Sequence, residues 1–326
     1  MKIIVTGSIA FDYLMQFPGK FSDHFIPDKM NAISVSFLVD TMKKLRGGCG
    51  PNIAYSLALL GEKPLLVGTA GKDFPEYRMI LTNAGVDTSG VHEIPDVYTA
   101  SFFGNTDRVG NQICSFYTGA MQFAKEYSLT PFLSVAGKDT LVIISPNDPG
   151  AMLRYADECR RSGTRFIFDP GQQIARLSGE DLLEGAKGAF LQIVNEYELE
   201  MLKKKTGLDN RGLFTLAENV IVTLGAKGSE ILTNTKTISI PAAKPKRISD
   251  PTGVGDAFRS GLMKGLALGL SWETAGRIGS LAAAYVIETE GPQSHHYTLT
   301  EFVRRYKENF GESEEIQKLL TSSLNI

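Results

Sequence analysis

Short apolar runs bounded by turn residues recur along the chain, at Ile3 to Thr6, Leu65 to Val67, Leu141 to Ser145, Phe166 to Asp169, Leu191 to Val194 and Val220 to Thr223. Runs without polar alternation predict strands buried on both faces of a parallel sheet. Segments with helical spacing lie between and after them, at Asn52 to Leu60, Ala151 to Arg161, Glu196 to Lys205, Asp256 to Leu268 and Thr274 to Glu288. The alternation predicts an α/β fold: a mainly parallel sheet with helices on both faces, its ligands beyond the carboxyl ends of the strands.

Two stretches depart from this rhythm. From Phe17 to Val39, prolines and scattered aromatics replace any helical period. Tyr98 to Phe103 and Gln112 to Tyr117 flank the polar turn Asn105 to Asn111 in the manner of a hairpin. Both read as strands outside the main sheet, forming a small β-sheet lid inserted at about residues 14–45 and 95–120 into one domain spanning 1–326. Its apolar strand faces could also pair across a two-fold axis, which allows a homodimer.

Composition narrows the function classes. A chain of 326 residues, 43% hydrophobic and 21% charged, has ample core for a large globular domain. A formal net charge of -2 with both signs dispersed supplies no field for nucleic acid or an anionic membrane, so a small-molecule substrate is expected. Cys49, Cys114 and Cys159 stand far apart without Cys-x-x-Cys spacing, which disfavours a disulfide framework or zinc site and fits a cytoplasmic location. Gly7 and Asp12 interrupt the first apolar run too early for a signal peptide, and no stretch approaches the ~20 apolar residues of a membrane span.

The candidate chemistry centres on Asp250-Pro251-Thr252-Gly253-Val254-Gly255-Asp256, which precedes an apolar periodic run. This reads as a glycine turn opening a helix, whose free N–H groups can cradle a phosphate. Asp256 is placed to take a proton from a hydroxyl attacking that phosphate; alternatively, it is an acid favoured by the helix dipole alone. Neither a Gly-x-x-x-x-Gly-Lys-Ser/Thr loop nor a complete Gly-x-Gly-x-x-Gly fingerprint occurs. Gly47-Gly48-Cys49-Gly50-Pro51-Asn52 permits close backbone approach, and Asn52 offers a diol both donor and acceptor, or else serves as a helix cap. Asp12, after the first strand, reads either as a ligand or as a solvated loop acid.

Four motifs occur in the order seen in the ribokinase (PfkB) family: Gly-Gly-x-x-x-Asn at 47 to 52, Asn195-Glu196-Tyr197-Glu198, Thr223-Leu224-Gly225-Ala226-Lys227-Gly228 and the run 250 to 256. The segments Val5 to Ala10, Ser36 to Asp40, Ser115 to Tyr117, Asn147 to Pro149 and Asp250 to Arg259 further resemble the bacterial adenosine kinases of that family, including Pro251 and Arg259, where many members differ. The resemblance implies a ribokinase-like three-layer α/β/α fold and ATP-dependent phosphorylation of adenosine's 5′-hydroxyl. A sugar kinase of the same fold, a kinase for another nucleoside and a catalytically idle nucleotide-binding protein are the alternatives.

Carried over residue by residue, the resemblance assigns Asp256 as general base and Gly253 and Gly255 as the anion hole. Asp12, Gly48 and Asn52 would grip the ribose, with Ser8 and Ser36 lining the pocket. Phe102 and Phe116 would stack on the base, and Gln172, Gln173 and Arg176 would meet its edges. Asn195 and Glu198 would place Mg²⁺ through water, although the same pair has the pattern of a capping box. Thr223, Gly225, Gly228 and Thr252 would hold ATP, although Thr223 to Gly228 also reads as a turn between strands. Whether K⁺ is needed stays open, because carbonyl ligands leave no side-chain signature.

Overall fold

The structure, a computed structural model, describes residues 1–137 and 139–322. In chain order its strands are β1 (Lys2–Thr6), β2 (Ala10–Phe17), β3 (Thr41–Gly47), β4 (Leu65–Gly71), β5 (Asp87–Ile94), β6 (Ala100–Asp107) and β7 (Gln112–Tyr117). They continue with β8 (Thr140–Ile144), β9 (Arg165–Phe168), β10 (Leu191–Asn195), β11 (Asn219–Thr223), β12 (Ser229–Thr233) and β13 (Thr237–Ile240). A nine-stranded sheet runs β13-β12-β11-β10-β9-β8-β1-β4-β5. It is parallel from β5 through β11, and β12 and β13 close one edge antiparallel.

The unbroken apolar runs follow from two-sided burial. On β1, Ile3 and Val5 enter a core layer with Ile53, Leu57 and Leu262, whereas Ile4 enters the opposite layer with Met152, Tyr155 and Phe168. Helices therefore cover both faces, as the alternation predicts. Every expected buried strand lies in this sheet.

A separate four-stranded sheet, β3-β2-β6-β7, forms the lid. It differs from expectation in two respects. The lid strands begin at Ala10 and end at Gly47, so Asp12 stands within β2 rather than in a loop. Of the stretch Phe17 to Val39 only Phe17 is strand, as the end of β2; the rest makes 3₁₀ turns at Phe21–His24 and Pro27–Ala32. Pro27 brings no N–H to a ladder, and Phe17, Phe21, His24 and Phe37 pack into one aromatic knot with ring centroids 4.8–5.5 Å apart. Asp107 ties this knot to the β6–β7 turn by accepting from the N–H groups of Phe21 (3.1 Å), Val109 (3.0 Å) and Asn111 (2.8 Å). Desolvation opposes its ionisation, but these donors and the Asn111 amide outweigh it and hold the carboxyl at about 2.

The helix that carries Asp256, Val254–Ala267, is seated against Trp272–Ile287 by glycine contacts. A Cβ on Gly261 would lie 2.6 Å from the Ile278 carbonyl oxygen, and one on Gly265 would lie 2.5 Å from Ala275 Cα. Gly261→Ala should lower stability by about 1–3 kcal/mol through overpacking, although alanine is the better helix former. Urea unfolding checks this as a lower midpoint at unchanged slope, and an unchanged or higher midpoint would contradict it.

Candidate active site

A cavity of about 540 Å³ lies between the lid and the segments that follow β1 and β9, and the starts of the helices Cys49–Leu59 and Val254–Ala267 also line it. Its scaffold side begins with two glycine turns. Gly48 caps the helix Cys49–Leu59 at φ +91°, and a Cβ there would meet the Ser8 carbonyl oxygen at 2.3 Å. Only glycine fits that conformation and approach. Gly253 caps the helix Val254–Ala267 at φ +78°, where a Cβ would fall 2.4 Å from Pro292. Asp250 fixes this turn by accepting from Thr252 N–H (2.8 Å) and Gly291 N–H (2.9 Å). Desolvation pushes its carboxyl up, and those donors outweigh it and hold it below the ordinary value.

Val254 N–H returns to Pro251 O at 3.3 Å, and the first helical bond is Ala257 N–H to Gly253 O at 2.9 Å. The intervening Gly255 and Asp256 amides have no acceptor within the helix. Asp256 Oδ2 accepts from Asn52 Nδ2 at 2.9 Å. Desolvation raises its carboxyl to about 6; Arg259 and Asn52 counter this, and Asp169 adds to it. Arg259, one turn along the same helix, makes a buried ion pair with Asp169 just beyond β9, Nη2 to Oδ1 at 2.6 Å and Nε to Oδ2. Asp169 is pushed up by burial and drawn back by Arg259, whose own charge is held by Asp169, Asp256 and Glu198 against desolvation.

The lid side is a registered row. Asp12 pairs with Leu45 and Phe102, and Phe102 pairs with Phe116, so these side chains share one face across all four strands. Asp12, Phe102 and Phe116 line the cavity opposite Gly253, Gly255 and Asp256. Gly104 leaves room for the ring: a Cβ there would touch Phe102 Cε1 at 2.9 Å. Burial, with a smaller contribution from Asp250, raises Asp12 to about 6.

Ser8, Gly48, Asn52, Gln172, Gln173, Arg176 and Thr252 complete the predicted members of this lining. Ser36 does not join them. It is exposed beside Phe37, whose ring is held in the aromatic knot away from the cavity. The other assigned residues form a neighbouring group at the ends of β10 and β11, where Asn195 and Thr223 stand side by side in register. Asn195 and Glu198 do form a capping box, each side chain accepting the other's backbone N–H at 2.8 Å. Glu198 is nevertheless raised by desolvation and by Asp169, a strain that a cation beside it would relieve. Gly228, at φ +98°, is required by packing because a Cβ would strike Ile240 O at 2.0 Å. Gly225, at φ +58°, faces open space.

Sequence reasoning missed Ala10, Cys49 and Met121 in the lining. It also missed the Asp169–Arg259 pair and Gln293, whose Nε2 donates to Asn52 Oδ1 at 2.8 Å. Cys49 lay in view within the glycine run, and Arg259 follows Asp256 by one helical turn. Gln293 sits in the loop between the helices Trp272–Ile287 and Leu299–Phe310 and carries no local signal. Among the described residues no group of three or more His, Cys, Asp or Glu could hold a metal, and no helix is long and apolar enough to cross a membrane.

A lidded nine-stranded α/β sheet with a glycine-turned helix start at its strand ends is the ribokinase-like fold. The chain belongs to the pfkB family of carbohydrate kinases, whose profile matches residues 11–298. It is similar to a Burkholderia thailandensis nucleoside kinase solved with inosine, with a TM-score of 0.83 and 36% identity, covering 95% of this chain and 98% of that one. The same enzyme has been solved as an ADP-inosine complex. The Methanocaldococcus jannaschii nucleoside kinase matches with a TM-score of 0.82 and 28% identity over 94% of this chain and 99% of that one. A Methanothermobacter thermautotrophicus nucleoside kinase is 29% identical over 311 residues, 95% of this chain and 96% of its own length.

The raised carboxyl of Asp256 sets a pH dependence of stability. An aspartate at about 6 when folded and near 3.8 when unfolded binds extra protons in the folded state between those values, so stability falls as pH rises through that window. Asp256→Asn should therefore melt higher than the parent protein above pH ~6.5 and match it below pH ~4, as followed by thermal unfolding across that range. Equal melting temperatures at pH 7.5 would contradict this.

Proposed function

We propose that this protein transfers the γ-phosphoryl group of ATP to the 5′-hydroxyl of a purine nucleoside, with adenosine the expected first acceptor. The observation that carries this reading is the single cavity in which an aromatic row faces a carboxylate beside free helix amides. A flat apolar base fits against Phe102 and Phe116, and Gln172, Gln173 and Arg176 are polar groups able to read its edges. Asp12 and Asn52 suit a vicinal diol, which needs both acceptors and donors. Relatives named nucleoside kinases and the inosine complex of one of them favour a nucleoside over a free sugar.

In this reaction the Gly253–Gly255 amides steady the equatorial oxygens of the transferring group. Asp256 receives the hydroxyl proton late, as the acceptor oxygen attacks in line, because a carboxylate is too weak a base to ionise an alcohol beforehand. The phosphates of ATP would lie towards Thr223, Gly225 and Thr252, with its adenosine towards Gly228. Mg²⁺ would be held through water by Asn195 and Glu198, and would neutralise charge on the phosphates. The lid would move as part of one domain and exclude water during transfer. The free thiols of Cys49, Cys114 and Cys159 accord with a cytoplasmic setting.

Asp256→Asn should lower kcat by about 10²–10⁴-fold while nucleoside binding persists. A coupled ADP-release assay with adenosine, inosine, guanosine, ribose and fructose tests the acceptor. Turnover of free sugars alone would sink the nucleoside reading.

The outer lid face, with Met42 (63% exposed), Phe103 (38%), Ile113 (39%) and Tyr117 (43%), would be covered by a second copy in a homodimer. Sedimentation equilibrium should give twice the chain mass and Met42→Glu a lower one. A monomeric parent protein would remove the proposal.

A further inference from the structure

Asn52 is an amide whose two ends do opposite things: its NH₂ can stabilise a carboxylate and its oxygen cannot. Which end meets Asp256 is decided at a distance. The carbonyl of Gly47 can only accept, and Tyr77 Oη lies 3.0 Å from it, so the tyrosine hydrogen points there. Burial keeps that phenol protonated at every working pH. With its hydrogen committed, Tyr77 Oη accepts, and the group that approaches it is Gln293 Nε2 at 2.5 Å. The same NH₂ donates its second hydrogen to Asn52 Oδ1 at 2.8 Å. Asn52 must then present Nδ2 to Asp256, as it does at 2.9 Å.

Donation runs outward from Gln293 along both arms, through Tyr77 to Gly47 and through Asn52 to Asp256. Reversing it would leave the Gly47 carbonyl without its donor and set the Asn52 oxygen against the Asp256 carboxylate. Gln293 is the only link that donates to both neighbours. It is 5% exposed, and its own Oε1 is buried without a hydrogen-bond partner, so the amide is oriented by what its NH₂ serves.

Resting on the reading of Asp256 as the base, we propose that Gln293 is a positioning residue for phosphoryl transfer, holding Asn52 in the orientation that keeps Asp256 ionised. The charged and titratable groups facing Asp256 are Arg259 on its own helix, Asp169 beyond β9, Cys49 on the neighbouring helix, Tyr77 and, across the cavity, Asp12. Glu198 acts from farther off through Arg259. None is changed by substitution at 293. Hydrogen bonding to the charged form is thus the variable that an uncharged substitution moves, and a glutamate adds a like charge that acts in the same direction.

The test is the pH profile of kcat/KM in the full chain. Gln293→Glu presents only acceptors to Asn52 and draws its NH₂ away from Asp256. Its acid limb should move up by about one pH unit, a rate roughly tenfold lower near the midpoint that converges on the parent value at high pH. Gln293→Met removes the donors without adding charge and should shift the limb in the same direction by less, which keeps the test open if the glutamate variant does not fold. Tyr77→Phe, which frees the direction of the chain, should also shift it. If both Gln293 variants kept the parent acid limb while their melting temperatures fell, Gln293 would be structural and the proposal overturned. Asp256→Asn separates the two readings. An active Asp256→Asn would end the base assignment and this inference with it, whereas an inactive one beside unshifted Gln293 variants would end this inference alone.

Discussion

Just beyond β9 one buried guanidinium, that of Arg259, is bonded to Asp169 and acts at longer range on Asp256 and Glu198. The Arg259–Asp169 pair is buried, and removing one partner of such a pair costs about 3–5 kcal/mol because the other is left charged and unsolvated. Arg259 is thus committed to Asp169 by geometry, while its remaining field reaches Asp256 and Glu198. That partial reach has a consequence. Asp256 is neither fully neutralised by an ion pair nor left to desolvation alone, and it rests at about 6, where it is ionised at neutral pH yet still able to take a proton. An arginine bonded directly to Asp256 would hold the carboxyl too low for that exchange.

The two sheets divide the work by what each can hold rigid. The parallel sheet is packed on both faces, so its strand ends fix backbone positions, and the Gly253–Gly255 turn that faces the cavity is built from glycines and main-chain amides. The lid presents one face to the cavity and the other to solvent, and it contributes side chains in a registered row. Gly47 joins the two, because it ends β3 and also accepts from Tyr77 in the core. A displacement of the lid's base would therefore be felt first along the hydrogen-bond chain that leads to Asp256.

How much of this the sequence discloses depends on how local each cause is. Two-sided burial writes itself into consecutive residues, so the parallel strands are legible. A positive φ demands glycine, and Gly48 and Gly253 announce their turns. The run Phe17 to Val39 misleads because scattered aromatics resemble strand composition, whereas Phe17, Phe21, His24 and Phe37 satisfy one another in a knot that has no period. The likeness of the Ser36 to Asp40 segment to relatives puts Ser36 in the cavity, whereas in the structure Ser36 is exposed and the neighbouring Phe37 ring packs on Phe17 and Phe21. The Asp169–Arg259 pair joins residues 90 positions apart and Gln293 meets Asn52 across 241, so only the folded chain brings them into relation. Where a motif had two readings, both can hold: Asn195 and Glu198 cap a helix through one oxygen each and still leave a raised carboxylate at the strand ends.

The proposed reaction asks opposite things of Asp256 at its beginning and end. Before transfer it must be a carboxylate, although an incoming phosphate chain beside it adds negative charge and would push its proton affinity up. After transfer it must hold a proton, although Arg259 and Asn52 favour its loss. The two demands are met because desolvation and Asp169 outweigh Arg259 and Asn52 only in part, which leaves the carboxyl raised to about 6. Of these, the ion pair is set by packing, and desolvation deepens only as the lid closes. The Asn52 bond can be adjusted in the course of a turnover, because the same amide is proposed to engage the acceptor's hydroxyl groups. Substrate that draws on Asn52 would weaken its hold on the carboxylate as the attacking hydroxyl arrives, raising the base's proton affinity at the step that uses it.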